Sequence, residues 1–172
     1  MTIRPVRFED LAALVEIELA AGETFRPLGL DVVADADPGS VEELASYAEG
    51  GRAFVVADVA DRPVGYLLLD AVDGAAHIEQ VSIHPGHARQ GLGRALIGRA
   101  AVWARAGGLT ALTLTTYVGV PWNGPYYERL GFRYLAREEE TPGLRAVREH
   151  ERAAGLDAWP RAAMRRDLAA GG

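Results

Sequence analysis

The strongest constraint on this chain is a strand-like run that breaks into a glycine-spaced loop and passes straight into a helical pattern. The segment reads Val81-Ser82-Ile83-His84-Pro85-Gly86-His87-Ala88-Arg89-Gln90-Gly91-Leu92-Gly93-Arg94-Ala95-Leu96. Pro85-Gly86 stops the strand, and Leu92, Leu96, Ala100 and Trp103 then fall on one face of a helix running to Ala106. The first N–H groups of a helix have no partners inside it, and the dipole is positive there. Gly91 and Gly93 carry no side chain to hold an anion away, and Arg89 and Arg94 add charge. The loop is therefore suited to cradle a pyrophosphate. Leu96 stands where a dinucleotide fingerprint needs its third glycine, and Ala111 to Val118 lacks the acidic residue that such a fold uses. A Gly-Lys-Ser/Thr sequence is absent, which excludes a Walker-type loop.

Around this unit the pattern predicts an alternation of strands and helices. Ile3 to Val6 reads as a strand and Glu9 to Ala21 as a helix, with Leu11, Leu14, Val15, Glu18 and Leu19 at helical spacing and Asp10 able to cap. Gly22 to Gly39 is loop-rich, and Ser40 with Glu43 forms a capping box for a helix to about Glu49. Ala53 to Ala57, Pro63 to Asp70 and Ala76 to His84 read as strands joined by short turns. Leu109 to Tyr117 is a strand, a short helix ends at Gly131, Phe132 to Glu138 is a strand, Pro142 to Ala154 a helix and Pro160 to Asp167 a last strand. The expectation is one α/β (α+β) domain over residues 1–172, with a mixed, mostly antiparallel sheet of about seven strands flanked by helices.

Composition narrows the function. There is no cysteine, which excludes disulfides, thiolate metal sites and a cysteine nucleophile and fits a reducing compartment. The first residues lack the apolar segment of a signal peptide and no run approaches a membrane span, so a cytoplasmic protein is expected. A net charge of −6 with no basic stripe argues against nucleic acid and favours a cationic partner. His84 and His87 straddle a turn and do not make a metal pair, so no metal is expected.

His84-Pro85 through Leu96 resembles the acetyl-CoA-binding motif of the GNAT N-acetyltransferase superfamily, an Arg/Gln-x-x-Gly-x-Gly/Ala loop. Tyr127-Glu128-Arg129-Leu130-Gly131-Phe132 is similar to that family's second signature, with its tyrosine near the CoA sulfur. The start of the chain, Ile3-Arg4-Pro5-Val6 followed by a helix, also matches. Two departures stand out: Ala88 occupies the motif's first Arg/Gln place, and the asparagine that precedes the tyrosine is represented by Asn123, at a shorter interval.

The resemblance implies direct transfer of an acetyl group from acetyl-CoA to an amine in a ternary complex. It implies that Val81 and Ile83 contact the pantetheine arm, with the Val81 N–H facing the oxyanion. Arg89, Gln90, Gly91, Leu92, Gly93 and Arg94 would hold the pyrophosphate, Asn123 would help bind the cofactor, and Tyr127 would bind the sulfur and act as general acid. Strand alternation sets His77, Glu79, Val81 and Ile83 on one face, so Glu79 is the expected base, working through water, with His77 its rival. Glu23-Thr24-Phe25-Arg26 falls where the family's first helices cover the acceptor. The charged stretches Arg137 to Glu140 and Leu144 to Glu151 read as solvated, Trp122 and Trp159 as core or else as walls of the acceptor groove, and Met164 as core. A small-molecule amine is the expected acceptor, a longer acyl-CoA an alternative donor, and pairing of the last strand a route to a homodimer. The competing functions are a CoA-binding regulatory or sensor domain without catalysis, and an unrelated nucleotide-binding domain.

Overall fold

The computed structural model describes residues 1–170 and, among them, seven strands and six α-helices. The chain forms two compact units, Met1–Asp70 with Ile78–Ala100, and Ala71–His77 with the residues from Ala101 on.

In the first unit β1 (Thr2–Pro5) pairs antiparallel with β2 (Ala53–Ala57), and β2 with β3 (Pro63–Val72). The helices α1 (Leu11–Glu23) and α3 (Val41–Glu49) lay Leu11, Leu14, Ile17 and Leu44 against Val55, Tyr66 and Leu68. A short α2 (Asp31–Ala34) and a 3₁₀ turn at Arg26–Leu28 interrupt the stretch read as loop. Ser40 caps α3 as expected, its Oγ accepting from the Glu43 N–H at 3.1 Å. Asp10 does not cap α1. Its carboxylate takes Arg4 Nη1 at 2.7 Å and the Arg7 N–H at 2.7 Å, because a 3₁₀ turn at Phe8–Asp10 swings it back over β1. Most of β4 (Ala75–Ile83) and the start of α4 (Leu92–Ala106) complete this unit.

In the second unit the first residues of β4 pair parallel with β5 (Ala111–Tyr117), Ala76 opposite Leu112 and His77 opposite Thr113. β5 pairs antiparallel with β7 (Arg161–Asp167), which pairs antiparallel with β6 (Arg133–Tyr134). The strand order is β1-β2-β3-β4-β5-β7-β6, a mixed and mostly antiparallel sheet. β7 is therefore an inner strand, which corrects the expectation that it offers an edge to a second copy. β6 is far shorter than Phe132 to Glu138, because Glu139 Oε2 accepts from the Ala136 N–H at 2.8 Å and turns the chain into a 3₁₀ turn.

Two further expectations are overturned in this unit. Trp122 and Trp159 are each 42% exposed, since both sit in loops beside strand ends, whereas Met164 is fully buried. The helix α6 (Pro142–Ala153) is not solvated all round: Arg148 is buried, with Asp157 on both guanidinium nitrogens at 3.0 and 2.9 Å and Glu151 at 3.2 Å.

Candidate functional site

The glycine loop and the start of α4 stand in the first unit. The first helical bond runs from the Ala95 N–H to the Gly91 carbonyl, so the N–H groups of Leu92, Gly93 and Arg94 precede the ladder and point out of it. Arg89 and Gly91 both adopt positive φ, 62° and 74°, which is what lets the loop turn those amides outward. A Cβ built on Gly91 meets nothing within 4 Å, so the space over the loop is open. Arg89, Gln90 and Arg94 are exposed and Leu92 is buried beneath them. These features fit a pyrophosphate: free amides at a helix N-terminus, unobstructed, with two guanidinium groups at hand. His84 Nδ1 accepts from the Gly86 N–H at 3.0 Å, which fixes the turn into the loop.

Upstream on the same strand, Glu79 and Gln80 line a cavity of about 140 Å³. Its other walls are Glu18 of α1, Gly39, and Glu43, Leu44 and Tyr47 around α3, with Tyr66 and Leu68 of β3. Tyr66 is fully buried and its hydroxyl donates to Glu18 Oε2 at 3.2 Å; the Gly39 N–H donates to the same oxygen at 3.2 Å. The Tyr47 hydroxyl donates to Asp70 at 2.8 Å, and Asp70 in turn pairs with Arg52, whose guanidinium stacks 4.4 Å from the Tyr47 ring centroid. Burial first, and then the neighbouring carboxylates, push both phenols well above their usual range, so both remain protonated. Of the residues predicted to act, Glu79 reaches this cavity. His77 does not: it is buried in the second unit with Nδ1 3.0 Å from Thr113 Oγ1. Glu23 to Arg26 do not line it either, because Arg26 is tied to Glu23 and Asp35 at the surface. Val81 and Ile83 follow Glu79 along β4, and Ile83 Cδ1 packs over Gly65.

Tyr127 and Asn123 lie in the second unit. Tyr127 is on α5 (Gly124–Arg129), buried edge-on between Tyr126 and Phe132 at 5.4 and 5.8 Å between ring centroids. Burial raises its phenol far above the ordinary value, with Tyr126 adding to the effect. Asn123 Oδ1 accepts from Thr116 Oγ1 at 2.8 Å. Among the described residues no group of His, Asp or Glu could hold a metal ion, and no helix is long and apolar enough to cross a membrane.

Residues 16–132 match the acetyltransferase (GNAT) family. The chain belongs to that family. It is accordingly an acetyl-CoA-dependent acyltransferase, and acetyl-CoA is its donor. Solved structures of the same fold cover nearly all of it. The ribosomal-protein-S18-alanine N-acetyltransferase of Escherichia coli is 22% identical with a TM-score of 0.67, over 99% of this chain and 96% of that one. The PaiA N-acetyltransferase of Thermoplasma acidophilum, solved with coenzyme A, is 15% identical with a TM-score of 0.72, over 97% and 98%. A GNAT acetyltransferase of Staphylococcus aureus is 13% identical with a TM-score of 0.74, over 98% and 99%.

Glu18, Glu43, Tyr47 and Tyr66 are functional candidates that the sequence reading missed. One signal was available: Glu18 falls among the apolar positions of α1, where a carboxylate is out of place unless it faces a polar cavity.

Proposed function

We propose that this protein acetylates the primary amine of a small-molecule acceptor, as one acetyltransferase domain over 1–172 working in the cytoplasm, where a cysteine-free chain is at home. The observation that carries the reading is the carboxylate-bearing cavity on β4, about a dozen residues ahead of the free amides that open α4. In this reading Arg89 to Arg94 hold the pyrophosphate, Val81 and Ile83 the pantetheine arm, and Asn123 assists through its amide nitrogen.

An acceptor enters as an ammonium and attacks only once neutral. Glu79 drains that proton through water. The amine nitrogen then bonds to the thioester carbonyl carbon, the adduct gives up a second N–H proton to water, the C–S bond breaks, and the sulfur leaves as thiolate. Tyr127 supplies the proton donor. Its burial keeps the phenol protonated but makes full proton transfer to the thiolate, whose thiol has a pKa of about 8.5, uphill. Its contribution is therefore a hydrogen bond to the departing sulfur, and protonation is completed from solvent.

Calorimetry with acetyl-CoA tests the reading first. Micromolar binding by the wild type that is lost in Gly91→Asp, where a carboxylate would face the pyrophosphate, supports it. Binding that the substitution leaves intact moves the phosphates elsewhere. Thiol release is then followed with small amines and with an alanine-starting peptide; acetylation of the peptide alone overturns the small-molecule acceptor.

A further inference from the structure

The cavity beside Glu79 is negative beyond the needs of proton removal. Three carboxylates line it, Glu18, Glu43 and Glu79, and no basic side chain does. Several other carboxylates of this unit carry arginines: Asp10 has Arg4, Asp35 has Arg26, Asp58 has Arg62 and Asp70 has Arg52. Neither Glu18 nor Glu43 has a basic partner among the described residues. Glu18 is half-buried, and both of its hydrogen bonds end on Oε2, which leaves Oε1 to be satisfied. The fully buried Tyr66 hydroxyl and the Gly39 amide hold this carboxylate in place, so its position is built in and not a surface accident. Tyr47 and Tyr66 add aromatic walls, Leu44 and Leu68 an apolar floor, and about 140 Å³ is far more than the roughly 10–15 Å³ that one water needs.

We infer that the acceptor is a diamine or longer polyamine, whose reacting nitrogen meets Glu79 while a second ammonium is held by Glu18 and Glu43. The alkyl spacer lies on the leucines and the tyrosine rings. The inference rests on the cavity's being the acceptor site. It makes Glu18 a specificity-determining residue: a monoamine leaves its carboxylate unpaired, and a diamine completes it.

The test compares butylamine with 1,4-diaminobutane, by calorimetry on the full chain at low salt, with Glu18→Gln, Glu43→Gln and Tyr66→Phe. A charge-assisted contact predicts at least about tenfold tighter binding of the diamine. That preference should shrink in both glutamine variants, weaken with salt, and shrink less in Tyr66→Phe, which keeps the charge and loosens its hold. Equal affinity for the two amines overturns the inference, and so does a diamine preference that both glutamine variants retain. Thiol release from acetyl-CoA, measured in parallel, separates the two levels. Turnover of butylamine and diamine alike leaves acetyl transfer standing without the inference; selective diamine binding with no turnover does the reverse.

Discussion

Asp10 shows how one side chain can do a different job from the one its position advertises. It precedes α1 as a cap would, yet its carboxylate joins Arg4 and the Arg7 amide instead. Burial by itself would push this carboxyl up, but the Arg4 hydrogen bonds, the Arg7 N–H and the two positive charges outweigh it and hold it below the usual range. A depressed folded pKa means stability that is present above the unfolded value of about 3.9 and lost as pH falls through the lower folded one. Urea midpoints taken from neutral pH down to about pH 3 should therefore fall less steeply in Asp10→Asn than in the wild type. At the transfer site, Glu79→Gln should lower kcat by about 10²- to 10⁴-fold with acetyl-CoA affinity unchanged, as loss of a general base does. Tyr127→Phe removes a hydrogen bond to sulfur, so its loss should fall on kcat and shrink when the leaving thiol is more acidic.

Among the elements, those with strong periodicity were legible and those decided by a single side chain were not. β2 and α4 fall where the residue pattern places them, and Ser40 caps α3. β6 was overestimated because Glu139 reaches back to the Ala136 amide, a contact that alternation cannot show. The start of α4 behind the glycine loop and the place of Glu79 on β4 follow from local sequence, whereas parity alone does not separate Glu79 from His77, which is buried elsewhere. The cavity opposite was not legible, since Glu18, Glu43, Tyr47 and Tyr66 come from three elements and meet only once the strands have paired. Strand β3 adds a constraint on the cofactor strand. A Cβ on Gly65 would lie 2.5 Å from Ile83 Cδ1 and 3.0 Å from the Ser82 carbonyl and Val56 Cγ1. Gly65→Ala should destabilise by about 1–3 kcal/mol, read from denaturant midpoints, because one backbone carbonyl and two β-branched side chains leave little room to give.

For the whole molecule, all 18 basic residues are arginine; there is no lysine. An enzyme that handles an activated acetyl group thus offers that group no ε-amine of its own. After prolonged incubation with acetyl-CoA, intact-mass spectrometry should show at most one stable acetyl group, at the chain's α-amine. Two or more would point to acylation outside amines. Many of the arginines are instead committed to carboxylates, as in the buried cluster of Arg148 with Glu151 and Asp157.

The inner position of β7 also sets a schedule for synthesis. β5 runs antiparallel to β7 along its whole length, from Ala111 opposite Asp167 to Tyr117 opposite Arg161, and β6 pairs with β7 as well. Roughly forty residues must be translated between the end of β5 and the start of β7, some 2–9 s at about 5–20 residues per second. For those seconds Leu112 and Leu114 sit on a nascent strand whose long antiparallel partner does not yet exist. A strand of this composition with one side open is an aggregation hazard. The yield of active enzyme should therefore depend on what shields β5 at the ribosome as much as on the stability of the finished fold.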